Sequence, residues 1–274
     1  MEINKGTQLK GYIQREIKKN KMHSNYGYTY YFCRNFLERL YASKPESFVL
    51  KGGFSQFANL EKIVRPITDI DITVINNIEK ANNLILELAH SDHKMKFIIK
   101  QSFVTTNATI NYRIICQFDN IQHLITVDLR KEKDLNIINK PLPTLFSNDT
   151  EFPIMSITLE EHLANKIYIS ILNLQLNIKL GKQFRRFKDF YDIYNILTLG
   201  NIDEDKLSDF LMAKIKNDEF LCEYNLQGNL FTKTFILENQ EKWEENANRF
   251  EFNKDIAFKE TVEETNEIIS RIRK

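Results

Sequence analysis

The apolar residues of this chain recur with two different periods. Over much of the sequence they return every three or four positions, as they do on a helix with one buried face. This spacing predicts helices over residues 7–20, 26–42, 78–90, 158–178, 184–199, 203–215 and 260–273. Thr158 is the expected N-cap of the fourth helix, with Glu161 completing a capping box.

Strand patterns lie in the first half of the chain. Short apolar runs or a period of two predict strands over residues 48–50, 68–74, 96–104, 109–118 and 121–130. Asp119-Asn120 predicts a tight hairpin between the last two. Prolines interrupt residues 131–157, which we interpret as a loop with one short strand at 152–155. The whole pattern predicts an α/β fold, in which residues 1–155 form a small mixed sheet with flanking helices and residues 156–274 form a helical domain.

The most informative stretch runs from residue 48 to residue 74, where a strand, a glycine turn, a short helix, a loop and a second strand follow one another. Asp69 and Asp71 share one face of the second strand, because side chains alternate faces along a strand. Two adjacent carboxylates disfavour each other's ionisation, and a divalent cation relieves this. Mg²⁺ typically takes one or two carboxylates together with substrate phosphates.

The Gly52-Gly53 turn supplies the complementary part of such a site. Glycine lets the backbone approach a ligand closely, and the N-terminus of the following helix offers N–H groups to a phosphate. A phosphate cradle beside a metal platform indicates phosphoryl or nucleotidyl transfer. The alternative is a solvated strand end after an ordinary turn, and it is the combination within one short unit that favours a site.

These residues carry a family resemblance. Lys51-Gly52-Gly53, then Arg65 and Thr68-Asp69-Ile70-Asp71, resemble the nucleotidyltransferase superfamily with a DNA-polymerase-β-like core, and within it the AbiEii/AbiGii toxins of type IV toxin–antitoxin, abortive-infection systems. Thr68 directly abuts Asp69, a tighter spacing than the family form. Phe54 stands where the family usually has a Ser or Thr that touches phosphate, so either Ser55 takes this role or the contact is weakened. The resemblance implies nucleotide binding by Lys51, Gly52, Gly53, Ser55, Arg65 and Thr68.

Asp128 is the candidate for a third carboxylate. It shares a strand face with Thr126 and Arg130, while the residues between them face the other way. Nucleotidyltransferases of this kind use a third carboxylate from a neighbouring strand. The resemblance therefore implies that Asp128 joins Asp69 and Asp71 as a metal ligand and acts as base for the attacking hydroxyl. The alternative is a strand-edge aspartate paired with Arg130 or Lys131.

The second half of the chain repeats the resemblance on two predicted helices. Ala164-Asn165-Lys166 and Arg186-Phe187-Lys188-Asp189, followed by Asp192, are similar to the A-x-K and R-x-K-D-x-x-D helices of the toxin family. The resemblance implies that Lys166 contacts the triphosphate as a catalytic residue, in a nucleotide cleft between the two domains. It also implies that Lys188 and Asp189 help form the nucleotide pocket and that Asp192 orients a basic partner or the base. On helix spacing alone, Arg185 with Asp189 and Lys188 with Asp192 are ion pairs on an exposed face.

Composition limits the partners. Lys and Arg total 38 against 37 Asp and Glu, a net charge of +1, so any surface for nucleic acid must be local. The three cysteines are isolated, which argues against a zinc site or a disulfide framework. The N-terminus has no apolar signal segment and no run is long enough to cross a bilayer. We therefore expect a cytoplasmic protein that does not associate with membranes.

Together these features predict a metal-dependent nucleotidyltransferase that moves NMP from an NTP to an acceptor hydroxyl with Mg²⁺ or Mn²⁺. The resemblance implies a tRNA 3′ end or a protein as acceptor, a cognate antitoxin, a role in phage defence and no DNA partner. Two alternatives stay open. The same core also suits a small-molecule acceptor such as an antibiotic hydroxyl, and Phe54 keeps open a non-catalytic nucleotide- or partner-binding module.

Overall fold

The computed structural model describes residues 3–43, 45–75, 77–90, 93–105, 109–222 and 230–272. Its contacts divide the chain into two compact units, Met1–Ile157 and Thr158–Lys274. The first unit combines a mixed sheet with helices and the second is helical, so the fold class is α/β.

The first unit contains the following elements. Its helices are α1 (Gly6–Lys19), α2 (Ser24–Ser43), α3 (Gly52–Leu60) and α4 (Ile78–His90). Its strands are β1 (Val49–Lys51), β2 (Ile70–Val74), β3 (Met95–Val104), β4 (Ile110–Phe118), β5 (Ile121–Lys131), β6 (Ile137–Leu142) and β7 (Phe152–Ile157). They form one sheet in the order β3-β4-β5-β2-β1-β7-β6. Because β2 lies between β1 and β5, its residue Asp71 sits in the middle of the sheet.

One face of the sheet is covered by α2 and α4. His123 of β5 stacks on Phe32 of α2 with ring centroids 5.5 Å apart, and Phe36 meets Phe97 of β3 edge to face at 5.2 Å. Ile125, the next inward residue of β5, is buried as the period of two predicted. The residues between these inward positions therefore face away from α2 and α4.

The segment 131–157 corrects the sequence interpretation. It was expected to be a loop with a short strand, and the strand near residue 152 is confirmed, but β6 is a second strand. β6 pairs antiparallel with β7 so that Pro141 lies opposite Pro153. A proline is tolerated there because β6 is the edge strand and one side of its backbone needs no partner in the sheet. β7 in turn pairs parallel with β1, which brings Ser156 opposite Leu50.

The second unit is built from helices α5 (Leu159–Leu180), α6 (Phe187–Leu199), α7 (Glu204–Lys216), α8 (Lys233–Arg249) and α9 (Phe258–Arg271). Thr158 caps α5 as predicted, its hydroxyl accepting the Glu161 N–H at 3.3 Å. Rings of α6, α8 and α9 pack together, with Phe190 and Phe258 5.8 Å apart. Residue 273 of the last expected helix lies outside the described residues. Among the helices described, each is too short or too polar to cross a membrane.

Candidate active site

Four polar side chains form a row across the centre of the sheet. Lys51 of β1 lies opposite Asp71 of β2, Asp71 lies beside Asp128 of the parallel strand β5, and Asp128 lies opposite Asn111 of β4. Residues in register on neighbouring strands point to the same face, about 4.8 Å apart. The two carboxylates predicted from separate stretches of sequence are thus brought side by side, on the face away from α2.

Asn111 is a residue that the sequence interpretation missed. Its side-chain amide donates a short hydrogen bond to Oδ1 of Asp128. Neither of the expected basic neighbours, Arg130 or Lys131, is needed to hold this carboxylate in place. Only the register of β4 against β5 reveals Asn111, since an asparagine in a predicted strand carries no signal of its own.

Gly52 lies directly against Asp71 and opens α3. Its backbone is left-handed, with φ +59°, and a Cβ atom there would lie 1.9 Å from Oδ2 of Asp71. A side chain at this position would therefore occupy the place of the carboxylate. The Asp71 carboxylate thereby reaches the N-terminal end of α3, where free N–H groups and the helix dipole favour negative charge.

Asp69 and the residues before it approach the same end of β2. Asp69 precedes the first residue of the strand, and its Oδ1 accepts a hydrogen bond from the Thr68 hydroxyl at 3.2 Å. Arg65 is half-buried and donates to the Pro66 carbonyl at 3.3 Å. The Thr68 hydroxyl therefore binds the carboxylate of Asp69, its direct neighbour in the sequence.

Phe54 and Ser55 both point into the core. Phe54 is buried and stacks on Tyr30 with centroids 6.2 Å apart. Ser55 is fully buried, and its hydroxyl shares a 2.8 Å hydrogen bond with Ser156 of β7. This placement argues against the expectation that Ser55 replaces the missing hydroxyl in a phosphate contact. Its bond to Ser156 instead fixes α3 against the strand β7.

Lys51 makes a close ion pair with Glu132, which follows β5. Its ammonium lies 2.8 Å and 2.6 Å from the two carboxylate oxygens. In this structure Lys51 therefore serves as the counter-ion of Glu132, while its backbone remains in register with Asp71. A phosphate contact by this lysine stays a prediction.

The second unit holds its own charged cluster between α5 and α6. The Lys166 ammonium lies 2.8 Å from Asp189 and 2.8 Å from Asp192. Arg186 makes a second, short contact with Asp189. Both carboxylates are almost fully buried, at 2% and 0% exposure, whereas Lys166 is 15% exposed. Two cations thus offset two carboxylates, and the cluster carries no net charge.

This arrangement corrects the interpretation from helix spacing alone. The carboxylates Asp189 and Asp192 were expected there on an exposed, salt-bridged face, but they are buried and joined to another helix. The reason is that α6 packs this face against α5, which helix spacing does not reveal. The Lys188 ammonium lies 4.6 Å from the Phe250 ring centroid.

A comparison with protein families decides the family of this chain. The description "Nucleotidyl transferase AbiEii toxin, Type IV TA system" matches residues 35–264. The chain belongs to the AbiEii family. It is accordingly a nucleotidyltransferase of the toxin–antitoxin class. The matched range contains every site residue named above and extends well beyond the motifs that first suggested the family.

Solved structures similar to this AbiEii-family chain are remote. JHP933 from Helicobacter pylori is 12% identical, with a TM-score of 0.45 over 87% of this chain and 91% of its own. A nucleotidyltransferase-like antigen from Paracoccidioides brasiliensis is 12% identical, with a TM-score of 0.43 over 78% and 88%. The antibiotic-resistance factor ANT(2″)-Ia is 11% identical, with a TM-score of 0.39 over 66% and 89%. The search of curated proteins found no match.

The carboxylates of the sheet fit a divalent cation that takes its remaining ligands from a bound substrate. Within the described part of the chain, no three His, Cys, Asp or Glu side chains are gathered closely enough to hold a metal by themselves. Mg²⁺ does not require this, since it is commonly held by one or two carboxylates plus phosphates. Asp71 and Asp128 provide such a pair. The Asp71 carboxylate occupies the space that a Cβ atom at residue 52 would take.

Proposed function

We propose that this AbiEii-family protein transfers a nucleoside monophosphate from an NTP to the 3′ hydroxyl of an RNA, with tRNA as the leading candidate. The observation that supports the transfer reaction most directly is the row in which Asp71 and Asp128 lie in register beside Gly52. Adjacent carboxylates at a helix N-terminus combine cation binding with phosphate binding, which is the equipment of phosphoryl-transfer sites.

In this proposal the aspartates have separate tasks. Asp69 and Asp71 would hold Mg²⁺ or Mn²⁺ against the triphosphate, with Asp128 as the third ligand. The cation, when bound, would neutralise charge on the phosphates. Asp128 would accept the proton of the acceptor hydroxyl as its oxygen bonds to the α-phosphorus. The bond from that phosphorus to the bridging oxygen would break, and pyrophosphate would leave.

The remaining site residues would bind the nucleotide. The backbone at Gly52-Gly53 would receive phosphate, because the first N–H groups of α3 have no partners within the helix. Arg65 and Lys51 would add positive charge near this end of the sheet. For Lys166, a triphosphate contact would compete with Asp189 and Asp192, the two carboxylates that its ammonium contacts in this structure. Lys188 and Asp189 stay candidates for the nucleotide pocket.

The biological setting follows from the family and is part of the proposal. The toxin class implies a cognate antitoxin and a role in phage defence. An RNA acceptor and an NTP substrate would both be available in the cytoplasm, which is the location we propose.

A label-transfer assay tests the reaction. The full chain would be incubated with each α-labelled NTP, Mg²⁺ and total cellular RNA, beside Asp71→Asn and Asp128→Asn. Asp209→Asn, at an exposed position on α7, is the control for loss of one carboxylate away from the site. We expect label on RNA with the wild type and the control, and a loss of at least about 100-fold in both site variants.

Other outcomes would redirect the proposal. Label on protein would replace the RNA acceptor by a protein side chain, and label on an added antibiotic that carries hydroxyl groups would indicate a small-molecule acceptor. Nucleotide binding without transfer to any of these, equal with and without Mg²⁺, would favour the non-catalytic module.

A further inference from the structure

The outward face of β3, β4 and β5 forms a continuous surface that begins at Asp128. We call it the acceptor face, defined as every second residue of β4 from Asn111 to Gln117 together with the cross-strand partners of these residues. It has four rows of three residues. Successive rows are two residues apart, so the face extends about 20 Å from the row of Asp128 at ~3.4 Å per residue.

The charge on the acceptor face is mainly positive. Asp128 is its single carboxylate, whereas Lys96 and Arg113 are exposed cations on it, and Arg130 is the next outward residue of β5. The whole chain carries a net charge of only +1. Most of the other polar residues in the rows are amides, which can hydrogen-bond both to phosphates and to bases. The charge is therefore complementary to a polyanion on this face in particular.

The acceptor face also presents exposed apolar side chains between its charged residues. Ile98, Ile115 and Leu124 are cross-strand partners, and Ile98 and Leu124 are 43% and 49% exposed. Phe103 is 40% exposed and lies in the row of Asp128, two strands away, which is about 10 Å. An exposed aromatic ring on a sheet is a platform on which an unpaired base stacks, and the aliphatic side chains add apolar contact area beside it.

We propose that the acceptor face binds the single-stranded 3′ end of the acceptor RNA and directs its terminal hydroxyl to Asp128. This rests on the proposed function and names the surface that selects the acceptor. A folded protein partner fits less well, because lysine is depleted from the buried centre of protein interfaces, where charged residues are few. A duplex fits less well too, because its bases are already stacked and paired.

Equilibrium binding of a fluorescein-labelled single-stranded RNA to the full chain tests this without NTP or metal. We compare the wild type with Lys96→Gln/Arg113→Gln, over a range of salt concentrations. The matched control is Lys10→Gln/Lys18→Gln, which removes two exposed cations from α1. Each lost phosphate contact should lower the slope of log K against log salt by about 0.7, so the first variant should lose about 1.4 and the control nothing.

A second variant separates stacking from charge. Phe103→Ala should weaken binding by about tenfold while leaving the salt slope unchanged, because stacking involves no counter-ion. The proposal is overturned if the face variant and the control bind RNA alike, if a duplex competes as well as a single strand, or if only the matching DNA oligonucleotide binds. Asp71→Asn should bind RNA normally and lose at least about 100-fold in transfer, so failure of the reaction and failure of the acceptor face are distinguishable.

Discussion

Replacing Gly52 by alanine tests whether the geometry around Asp71 is the centre of this enzyme. Two costs are expected. The backbone at Gly52 is left-handed, with φ +59°, which costs a residue with a Cβ about 1–2 kcal/mol. The new Cβ would also lie 1.9 Å from Oδ2 of Asp71, whereas real Cβ contacts below 3.0 Å essentially never occur. The carboxylate would have to move by about 1.1 Å, the difference between 3.0 and 1.9.

Gly181 provides a matched control for the first of these costs. It has nearly the same backbone conformation, with φ +61°, but an added Cβ would meet nothing within 4 Å. Gly181→Ala should therefore lose only about 1–2 kcal/mol of unfolding free energy. Gly52→Ala should lose more than this, because the added Cβ would also lie 2.9 Å from Cγ and 3.1 Å from Cβ of Asp71, so rotation of the carboxylate alone does not relieve the contact.

Activity should separate the two variants. A misplacement of about 1 Å in a catalytic group can cost about 100-fold in rate, so Gly52→Ala should lose at least that factor in label transfer, and Gly181→Ala should retain wild-type activity. Urea unfolding followed by circular dichroism gives the stabilities, and the transfer assay gives the rates. Near-normal transfer by Gly52→Ala would refute the reasoning, since the seating of Asp71 against this glycine would then be irrelevant to catalysis.

Three further predictions concern residues around the two charged clusters and the core. Asn111→Ala should lower the rate of transfer by about tenfold or more while nucleotide binding persists, because the Asp128 carboxylate loses the amide that orients it. Lys166→Ala should lower the unfolding free energy by about 3–5 kcal/mol, because Asp189 and Asp192 stay buried without their shared cation. Arg186→Ala removes a more exposed cation and should lower the unfolding free energy by about 1 kcal/mol or less. Burial lowers the pKa of His123 below its ordinary value of 6.5. As the pH falls, this histidine is therefore protonated in the unfolded chain before it is protonated in the folded one, and the stability present above pH 6.5 should decline below it. His123→Gln should remove this part of the pH dependence.

Each of these has a contrary result. Unchanged transfer by Asn111→Ala would mean that Asp128 needs no orienting partner. Equal destabilisation by Lys166→Ala and Arg186→Ala would mean that burial of the carboxylates is not what makes Lys166 important. A wild type and a His123→Gln variant with the same stability profile between pH 7.5 and pH 5, by urea unfolding, would remove His123 as the source of acid sensitivity.

The unit that bears the site was largely predictable because its signals are local. Alternation of side chains along a strand placed Asp69 and Asp71 on one face and the isoleucines between and after them on the other. The glycine pair had a recognisable purpose because few residues other than glycine adopt a left-handed backbone at little cost. Periodicity likewise gave most helices and the β4–β5 hairpin, since a two-residue turn at Asp119-Asn120 leaves little choice of register.

Strand order and side-chain partners were decided by the tertiary structure. Nothing in the spacing of Asp71 and Asp128 along the chain says that their strands are parallel neighbours in register, and Asn111 became visible only with that register. The β6 strand escaped because prolines usually end strands, and only its position at the sheet edge makes Pro141 acceptable. Ser55 and Asp192 are similar cases, because sequence suggests a polar contact but cannot say that packing has buried the group.

The sequence by itself determined which short segments carry the candidate site residues, and the tertiary structure determined which of those segments lie side by side. Residue types and local spacing fix what each short segment can do, since they depend on bond geometry and on neighbours three or four positions away. Which segments lie side by side depends on contacts between residues far apart in the chain. These contacts form only when the sheet is assembled, so local spacing does not reveal them. The row of Asp71, Asp128 and Asn111, and the basic face that extends from it, are of this second kind.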